Sequence, residues 1–209
     1  MINILIADDH PIIRYGLKQL ISEEPDMKVT GEAENAAGVF EMIKKNNYDI
    51  LILDMSFPDV NGLEVISKLK YAKSEIAILV LSALPEEQYA LRCLKAGSAG
   101  YLNKIAASSQ LITAIKKIMG GGNYLSPAIS DQILSDLKKD KKKVRHEDLS
   151  HREFEIMCLI GSGKSVKEIA DNLIISIPTV YTYRTRIYQK MNVKTDTELV
   201  QYCIIEGLL

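Results

Sequence analysis

The sequence predicts an α/β domain, built on a doubly wound five-stranded parallel sheet, followed by a small all-α domain. Short apolar runs alternate with segments of helical period over the first 119 residues. The apolar runs are nearly continuous, which indicates strands that are buried on both faces. From Leu149 onward the strand pattern stops and every segment has helical period. Five β/α repeats and four short helices are therefore expected.

The five repeats follow one another along the chain. Strands are predicted at residues 2–7, 27–33, 48–54, 76–82 and 99–102. The helices between and after them are predicted at residues 11–22, 36–45, 63–71, 86–95 and 108–119. Because crossovers between parallel strands are right-handed, few sheet topologies remain open.

A glycine break and a charged stretch separate the two domains. Residues 120–122 are glycines, which end the fifth helix. Residues 126–139 predict a short amphipathic helix, and residues 139–148 predict a charged connector. We therefore expect a first domain at 1–121, a linker with a short helix at 122–147, and a second domain at 148–209.

Capping residues mark the beginnings of the four helices in the second domain. A serine or threonine precedes each helix, and in three cases a glutamate follows three residues later, which is the spacing of a capping box. Pro178 in the first turn marks the remaining helix. The caps are Ser150, Ser165, Ser176 and Thr195, and the helices are predicted at 151–160, 166–173, 177–191 and 196–206.

The cysteines, the apolar segments and the charge limit the classes of protein to which this chain can belong. The cysteines Cys93, Cys158 and Cys203 are scattered and none lies in a CxxC motif, which suits a reducing cytoplasm and argues against disulfides or a zinc site. The N-terminus lacks the pattern of a signal peptide, and no apolar run is long enough to cross a bilayer. A cytoplasmic protein without a membrane partner is expected. Residues 149–209 carry seven basic and seven acidic residues, so charge alone supports nucleic-acid binding only weakly.

Polar side chains follow the predicted strands at the point where each strand ends. Asp8 and Asp9 follow the first strand, Asp54 ends the third, Ser82 ends the fourth and Lys104 follows the fifth. The carboxyl ends of parallel strands meet at one edge of the sheet, where function gathers. Three carboxylates there repel one another unless a cation is bound, and Mg²⁺ prefers oxygen ligands. An aspartate at this edge can form an acyl phosphate, although any single acid could instead be a helix cap.

Four motifs around these residues carry a family resemblance: ADDH at 7–10, LILDMSFPDVNG at 51–62, VLSA at 80–83 and AGSAGYLNK at 96–104. With them, residues 1–120 resemble the receiver domain of two-component response regulators. The resemblance implies a flavodoxin-like (CheY-like) sheet of strand order 2-1-3-4-5 and a bound Mg²⁺. The implied site residues are Asp54 as phosphoacceptor; Asp8, Asp9, Asp54 and the backbone carbonyl of Ser56 as metal ligands; Ser82 and Lys104 as phosphoryl-binding groups; and Tyr101 as an aromatic switch.

The chain departs from the receiver pattern at two positions. Ile105 follows the lysine, where family members often have Pro or Asp. Asn61 stands where Asp is common before the glycine. Neither change removes a reactive group, so we expect the chemistry to survive.

The second and third helices of the C-terminal domain are joined by a short turn, 174–176. The third helix has an apolar inner face and an outer face of hydroxyls and guanidinium groups, which suit contacts with phosphates and base edges. On patterning alone, an amphipathic bundle helix with a polar outer face is the alternative.

Motifs in the same region resemble the LuxR-type helix-turn-helix: LSHRE at 149–153, KEIA at 167–170, TV at 179–180 and KMNV at 190–193. Together with the receiver, nearly the full chain resembles the NarL/FixJ family. Family members usually have Lys and His where this chain has Tyr181 and Tyr183, which leaves the DNA sequence preference open. The implied DNA contacts are Tyr181, Thr182 and Thr185 with bases, and Lys164, Thr179, Arg184, Arg186 and Lys190 with phosphates; Val200 and Cys203 are the implied contacts of the dimerisation helix, 196–206.

The resemblance implies a DNA-binding response regulator that is not an enzyme beyond its own phosphoryl transfer and slow autodephosphorylation. Its implied partners are a sensor histidine kinase, a second copy of the chain in the active state, and double-stranded DNA with two-fold-related sites. Phosphorylation of Asp54 would control dimerisation, exposure of the helix-turn-helix, or both.

Three alternatives compete with this interpretation. GSGKS at 161–165 suggests a P-loop, but Cys158 stands at the required first glycine and a predicted helix precedes the segment. A phosphatase that forms an aspartyl phosphate commonly needs an acid at the position of Ser56. A constitutive DNA-binding protein that uses its receiver only for dimerisation would not need the full set of acids.

Overall fold

The computed structural model describes residues 1–57, 60–72, 75–127, 129–131 and 145–208. The chain divides into two compact units, Met1–Lys138 and Lys139–Leu209. The helix predicted at 126–139 lies largely outside the described residues. None of the described helices is long and apolar enough to cross a membrane.

The first unit is built on a parallel sheet of five strands in the order β2-β1-β3-β4-β5. The fold class and strand order predicted from the sequence are therefore confirmed. The strands are β1 Ile2–Ala7, β2 Met27–Ala33, β3 Ile50–Leu53, β4 Ala77–Ser82 and β5 Gly100–Asn103. The helices are α1 Pro11–Ser22, α2 Ala36–Lys45, α3 Gly62–Tyr71, α4 Glu86–Ala96 and α5 Ala107–Met119, with a 3₁₀ turn at Lys104–Ala106.

The sheet is buried because its central strands are apolar on both faces. All four residues of β3 are buried. Helices α1 and α5 pack against the face that carries Ile4, Ile6 and Ile52, through an apolar cluster that includes Leu17 and Leu111. Burying one such side chain stabilises the fold by about 1.5–3 kcal/mol. This packing fixes the carboxyl ends of the strands at one edge.

The chain continues alongside β5 after α5 ends. The backbone N–H of Tyr101 donates to the carbonyl of Tyr124 (3.0 Å), and the N–H of Tyr124 donates to the carbonyl of Ala99 (2.9 Å). Tyr124 is buried, and its phenol donates to Gln110 Oε1 (2.8 Å). Residue 124 thus packs within the first unit, although the predicted linker begins at residue 122. The predicted domain limits stay predictions.

The second unit contains four described α-helices after a 3₁₀ turn at Arg145–Asp148. The predicted caps form: the side chains of Ser150, Ser165, Ser176 and Thr195 each accept a hydrogen bond from a backbone N–H in the first turn. Only the first two are complete capping boxes, because Glu198 accepts from the N–H of Lys194 instead (2.8 Å). The helices are α6 His151–Gly161, α7 Val166–Asn172, α8 Ile177–Met191 and α9 Asp196–Ile205. Gly161 ends α6, so residues 161–165 come at the end of a helix and not after a strand, which argues against the P-loop.

Candidate functional site

The structure brings the predicted acids together at the carboxyl edge of the sheet. Asp8 follows β1 and Asp54 follows β3, and each is only 2% exposed. Carboxylate oxygens of Asp8, Asp9 and Asp54 and a ring nitrogen of His10 all lie within 4.8 Å of one another. This cluster of oxygen atoms could hold a metal ion.

Lys104 joins the buried acids. Its Nζ lies 2.7 Å from Oδ2 of Asp8 and 2.8 Å from Oδ2 of Asp54. The side chain reaches the cluster because Lys104 begins the 3₁₀ turn directly after β5, at the same edge of the sheet. The ammonium therefore bridges two carboxylates that would otherwise repel each other.

The electrostatics of the cluster leave an excess of negative charge. Burial raises the pKa of Asp54, the hydrogen bond from Lys104 opposes this shift, and the neighbouring charge of Asp8 adds to it. Burial alone would lower the pKa of Lys104, but the carboxylates of Asp54 and Asp8 outweigh it, and the pKa lies above its usual value. One ammonium therefore faces three carboxylates, and a cation of higher charge would relieve their repulsion.

The carboxylate oxygens satisfy the requirements of a hard cation. Asp8 Oδ2 and Asp9 Oδ1 are buried, and their basic neighbours are Nζ of Lys104 and Nδ1 of His10, each at 2.7 Å. Carboxylate oxygens at a negatively charged site are the ligands that Mg²⁺ takes in proteins. The residues present thus fit the metal that the sequence predicted.

Two supporting residues at this edge were missed in the sequence. Arg14 is buried, and its guanidinium donates to the carbonyl of Asp8 (2.8 Å) and to Glu34 (2.6 Å). His10 donates its backbone N–H to Asp8 Oδ1 (2.8 Å), and its Nδ1 lies 2.7 Å from Asp9 Oδ1. A signal for Arg14 exists, because it lies on the apolar face of α1. Both residues hold the loop after β1 in place.

The loop after β3 shows why asparagine and glycine are suited to positions 61 and 62. The N–H of Ser56 donates to Oδ1 of Asp54 (3.3 Å), which orients that carboxylate. Asn61 caps α3 by accepting from the N–H of Leu63 (2.9 Å), which an asparagine oxygen does as well as an aspartate. A Cβ on Gly62 would lie 2.8 Å from Cα of Met55, so only glycine fits.

Ser82 and Tyr101 are connected through the loop that follows β4. The N–H of Leu84 donates to Oγ of Ser82 (3.1 Å), and the hydroxyl of Tyr101 donates to the carbonyl of Leu84 (2.8 Å). Tyr101 points inward and is fully buried, and burial raises the pKa of its phenol. Leu84 is thus the link that sequence reasoning did not identify.

The second unit presents α8 on its surface. Val180, Ile187 and Met191 are fully buried, as predicted for the inner face. The outer face exposes Tyr181, Thr182, Thr185 and Arg186. The hydroxyl of Thr182 donates to the carbonyl of Pro178 (3.1 Å) and that of Thr185 to the carbonyl of Tyr181 (3.0 Å), while Thr179 pairs with the cap Ser176 (2.7 Å). Lys164 lies at the surface, 3.9 Å from Glu168.

Two residues predicted to face phosphates are engaged within the unit. Arg184 donates to both carboxylate oxygens of Asp196 and to the hydroxyl of Tyr188 (3.0 Å). Lys190 donates to Oε2 of Glu153 (2.6 Å), the buried acid of the first capping box. The cause is their position on the sides of α8 that face α9 and α6. Contacts with DNA would have to compete with these ion pairs.

One predicted dimerisation contact is corrected by the structure. Cys203 is 0% exposed and lies on the inner face of α9 with Leu199, so it cannot reach a second copy. Val200 is partly exposed. The outer face of α9 instead exposes Ile204 (64%) and Ile205, which the sequence analysis missed because α9 is apolar on both sides.

Two family models match the chain. The response regulator receiver domain matches residues 4–116, which include the whole acidic cluster. The bacterial regulatory proteins of the luxR family match residues 147–203, which include α8.

Known proteins resemble the chain along its whole length. The chain is 34% identical over 209 residues to the response regulator UvrY of Escherichia coli (strain K12), covering 100% of this chain and 96% of UvrY. It is 32% identical over 213 residues to the oxygen regulatory protein NreC of Staphylococcus carnosus (strain TM300), covering 99% of this chain and 98% of NreC. A structure of RcsB from Salmonella enterica serovar Typhimurium, bound to promoter rprA in the presence of the phosphomimetic BeF3−, matches with a TM-score of 0.66 and 27% identity over 96% of this chain and 97% of RcsB.

Proposed function

The chain belongs to the NarL/FixJ family of response regulators, with a receiver domain and a LuxR-type DNA-binding domain, and on that premise we propose that phosphorylation of Asp54 controls its binding to DNA. The observation that carries the proposal is the bridge from Lys104 to Asp8 and Asp54 (2.7 and 2.8 Å). The bridge supports a nucleophilic role for Asp54, because it places a cation where an incoming phosphoryl group needs one.

In the proposed reaction, an oxygen of Asp54 attacks the phosphorus of a phosphohistidine on a sensor kinase, or of a small acyl phosphate. A P–O bond to Asp54 forms while the bond from phosphorus to the donor breaks, and the electron pair leaves with the donor. Lys104 pairs with the transferred group, and the N–H of Ser56 holds the carboxylate in orientation. Positioning and charge stabilisation supply the acceleration, and slow hydrolysis of the acyl phosphate resets the site.

Mg²⁺ is the proposed cofactor. Asp8, Asp9, Asp54 and the backbone carbonyl of Ser56 would hold it, and the convergence of the carboxylates within 4.8 Å supports this assignment. When bound, the ion screens the negative charge of the phosphoryl group.

The proposed switch runs from Ser82 to Tyr101. A hydroxyl of Ser82 that turns toward the phosphoryl group gives up the hydrogen bond from Leu84, which shares a second hydrogen bond with Tyr101. The loop after β4 and the surface near α4 and β5 then change together. A bias of a few kcal/mol between two states is enough for such a switch.

The proposed output is binding of α8 to the major groove of DNA, with two copies on two-fold-related half-sites. Tyr181, Thr182 and Thr185 are the proposed base contacts, and Arg186, Lys164 and Thr179 the proposed phosphate contacts. Arg184 and Lys190 retain that role only if they leave their acid partners. Val200 and Ile204 are the proposed contacts between copies on α9. With DNA and a kinase as partners, the proposed location is the cytoplasm.

The test is the intact mass after incubation with acetyl phosphate and Mg²⁺. We expect the wild type to gain one phosphoryl group and Asp54→Asn to gain none. Asp49→Asn is the matched control, because Asp49 directly precedes β3 at the opposite end of the strand, and it should be modified like the wild type. Modification of Asp54→Asn would contradict the assignment of the nucleophile. If no variant gains mass, phosphorylated histidine kinase replaces acetyl phosphate before the chemistry is judged.

A further inference from the structure

The first two turns of α8 present apolar side chains to solvent. Ile177 is 44% exposed and Tyr181 is 51% exposed. They stand four residues apart, so they lie on one face of the helix, and Thr185 continues that line one turn later. Side by side, they form a small apolar patch at the exposed beginning of the helix, which suits contact with an apolar group of a partner.

The same two turns contain no unpaired side chain that could donate two hydrogen bonds to one base. Residues 177–183 contain no Arg, Lys, Asn or Gln. The first cation, Arg184, is held by both oxygens of Asp196. The hydroxyl protons of Thr182 and Thr185 are donated back to carbonyls of α8 itself. In the described α8, the exposed side chains of the segment 177–185 therefore present apolar groups, the phenol of Tyr181 and the hydroxyls of Thr182 and Thr185.

This chemistry matches one feature of the major groove. Guanine is read by Arg or Lys, and adenine by Asn or Gln, whereas thymine presents a C5 methyl group that apolar side chains contact. In a helix-turn-helix, the residues at the beginning of the recognition helix reach the base edges. Arg186 follows on the exposed side of the same helix, where a cation can meet the DNA backbone.

We propose that Ile177 and Tyr181 select operator sequences by contacting thymine C5 methyl groups. This inference rests on the proposed DNA-binding function and adds the kind of base contact that confers preference. It makes thymine content of the half-site, and not guanine, the main determinant of sequence preference.

The full chain is first used to enrich DNA duplexes that it binds from a random library. The enriched duplexes are then synthesised again with uracil in place of thymine at one position at a time. Uracil lacks only the C5 methyl group. We expect wild-type affinity to fall by about fourfold for each contacted methyl, from the usual value of one buried methyl group. Ile177→Ala should bind thymine and uracil equally at the positions that Ile177 contacts, and should keep the wild-type difference at the positions that Tyr181 contacts. Ile12→Ala is the control, because Ile12 is also exposed but lies on α1 in the other unit, and it should keep the wild-type difference.

The outcomes separate this inference from the function on which it rests. If wild-type affinity is the same for thymine and uracil at every position, the inference is overturned while DNA binding stands. If no duplex is enriched and binding shows no dependence on salt, the proposed function fails as well. The comparison on wild-type protein needs no variant, so it holds even if Ile177→Ala is poorly folded.

Discussion

Asp54 in the first unit shows a conflict between stability and the proposed function. Asp54 is buried, and burial raises the pKa of its carboxyl group above the ordinary value of 3.8. The folded state therefore binds a proton more readily than the unfolded chain does. Stability is lost as the pH rises from the ordinary pKa through the raised pKa of the folded state. Residues placed for reaction commonly destabilise the fold in this way.

Asp54→Asn should consequently stabilise the metal-free first unit. We expect the free energy of unfolding at pH 7 to rise by about 1 kcal/mol, because a buried charge is removed. The gain should shrink as pH is lowered toward 3.8, where the wild-type carboxyl is protonated as well. Urea unfolding at several pH values measures it. Glu87→Gln, an exposed acid in the same unit, is the control and should change little.

A second residue, Ile174, has an unfavourable backbone conformation. Its φ is +52°, in the left-handed region that β-branched residues avoid, and its side chain is 73% exposed. Ile174→Asn should therefore raise the melting temperature of the second unit, with a gain of about 1 kcal/mol. Asn192, which adopts the same conformation at φ +51°, provides the reverse test. Asn192→Ile should destabilise the unit, and stabilisation by it would contradict the argument.

The residues of the acidic cluster could be predicted from the sequence. The contacts that hold α8 against its neighbouring helices could not. Strand ends are visible as places where apolar runs stop at Asp8 and Asp54, and parallel strands bring those ends together. Helical periodicity shows which face of α8 is buried, but it does not show that Asp196 lies beside Arg184 or that Cys203 is turned inward. These contacts depend on the packing between helices.

Among the elements, α6 and α8 are joined through a buried acid. Glu153 accepts from the N–H of Ser150 (2.7 Å) and from Nζ of Lys190 (2.6 Å). Burial alone would raise the pKa of Glu153, but Lys190 and Ser150 outweigh it and the pKa is lowered. The stability from this group is therefore present above the ordinary pKa of 4.5 and is lost as pH falls through the lowered value.

Glu153→Gln tests this junction. We expect it to lower the stability of the second unit at pH 7 by about 2 kcal/mol, since a buried charged hydrogen bond is lost. The difference from wild type should close at acid pH. Glu155→Gln is a matched control two residues away, because Glu155 is more exposed than Glu153 (22% against 4%) and its pair with Arg152 is worth about 1 kcal/mol or less. Equal losses in both variants would contradict a special role for Glu153.

Element limits agree with the sequence to within one or two residues where a cap or a break defines them. The helix α8 was predicted at its observed limits, because Ser176 begins it and Asn192 follows it in the left-handed conformation. The third strand was predicted as 48–54, but the observed β3 is Ile50–Leu53. Asp54 follows the strand, and its N–H still donates to the carbonyl of Ala7 in β1 (2.8 Å), a distinction that a propensity for strand does not reveal.

For the whole molecule, the proposed active state is a dimer with α9 between the copies. Ile204→Glu should keep the second unit folded, because Ile204 is exposed, but should prevent dimerisation of the phosphorylated chain. Sedimentation of the phosphorylated protein measures this, and affinity for a duplex with two half-sites should fall more than affinity for one half-site. Glu206→Gln, an exposed change near the end of α9, is the control. A dimer that survives Ile204→Glu would place the contact elsewhere.

The topology of the whole chain was the most predictable feature. Alternating apolar runs and helices before residue 119 leave few parallel arrangements, and the order β2-β1-β3-β4-β5 is among them. The hydrogen bonds that connect Ser82, Leu84 and Tyr101 could not be predicted in the same way, because they depend on the path of one loop.

The buried thiols give each unit its own internal reporter of unfolding. Cys93 lies in the first unit and Cys203 in the second, both are buried, and burial raises their thiol pKa to about 12 and about 11. A thiol reacts with an alkylating reagent only as an exposed thiolate, so each cysteine is labelled when its own unit opens. In a Cys158→Ser background, labelling rates followed by peptide mass would give two opening free energies from one sample. The opening free energies measured with and without phosphorylation or DNA would then show which unit each of them stabilises.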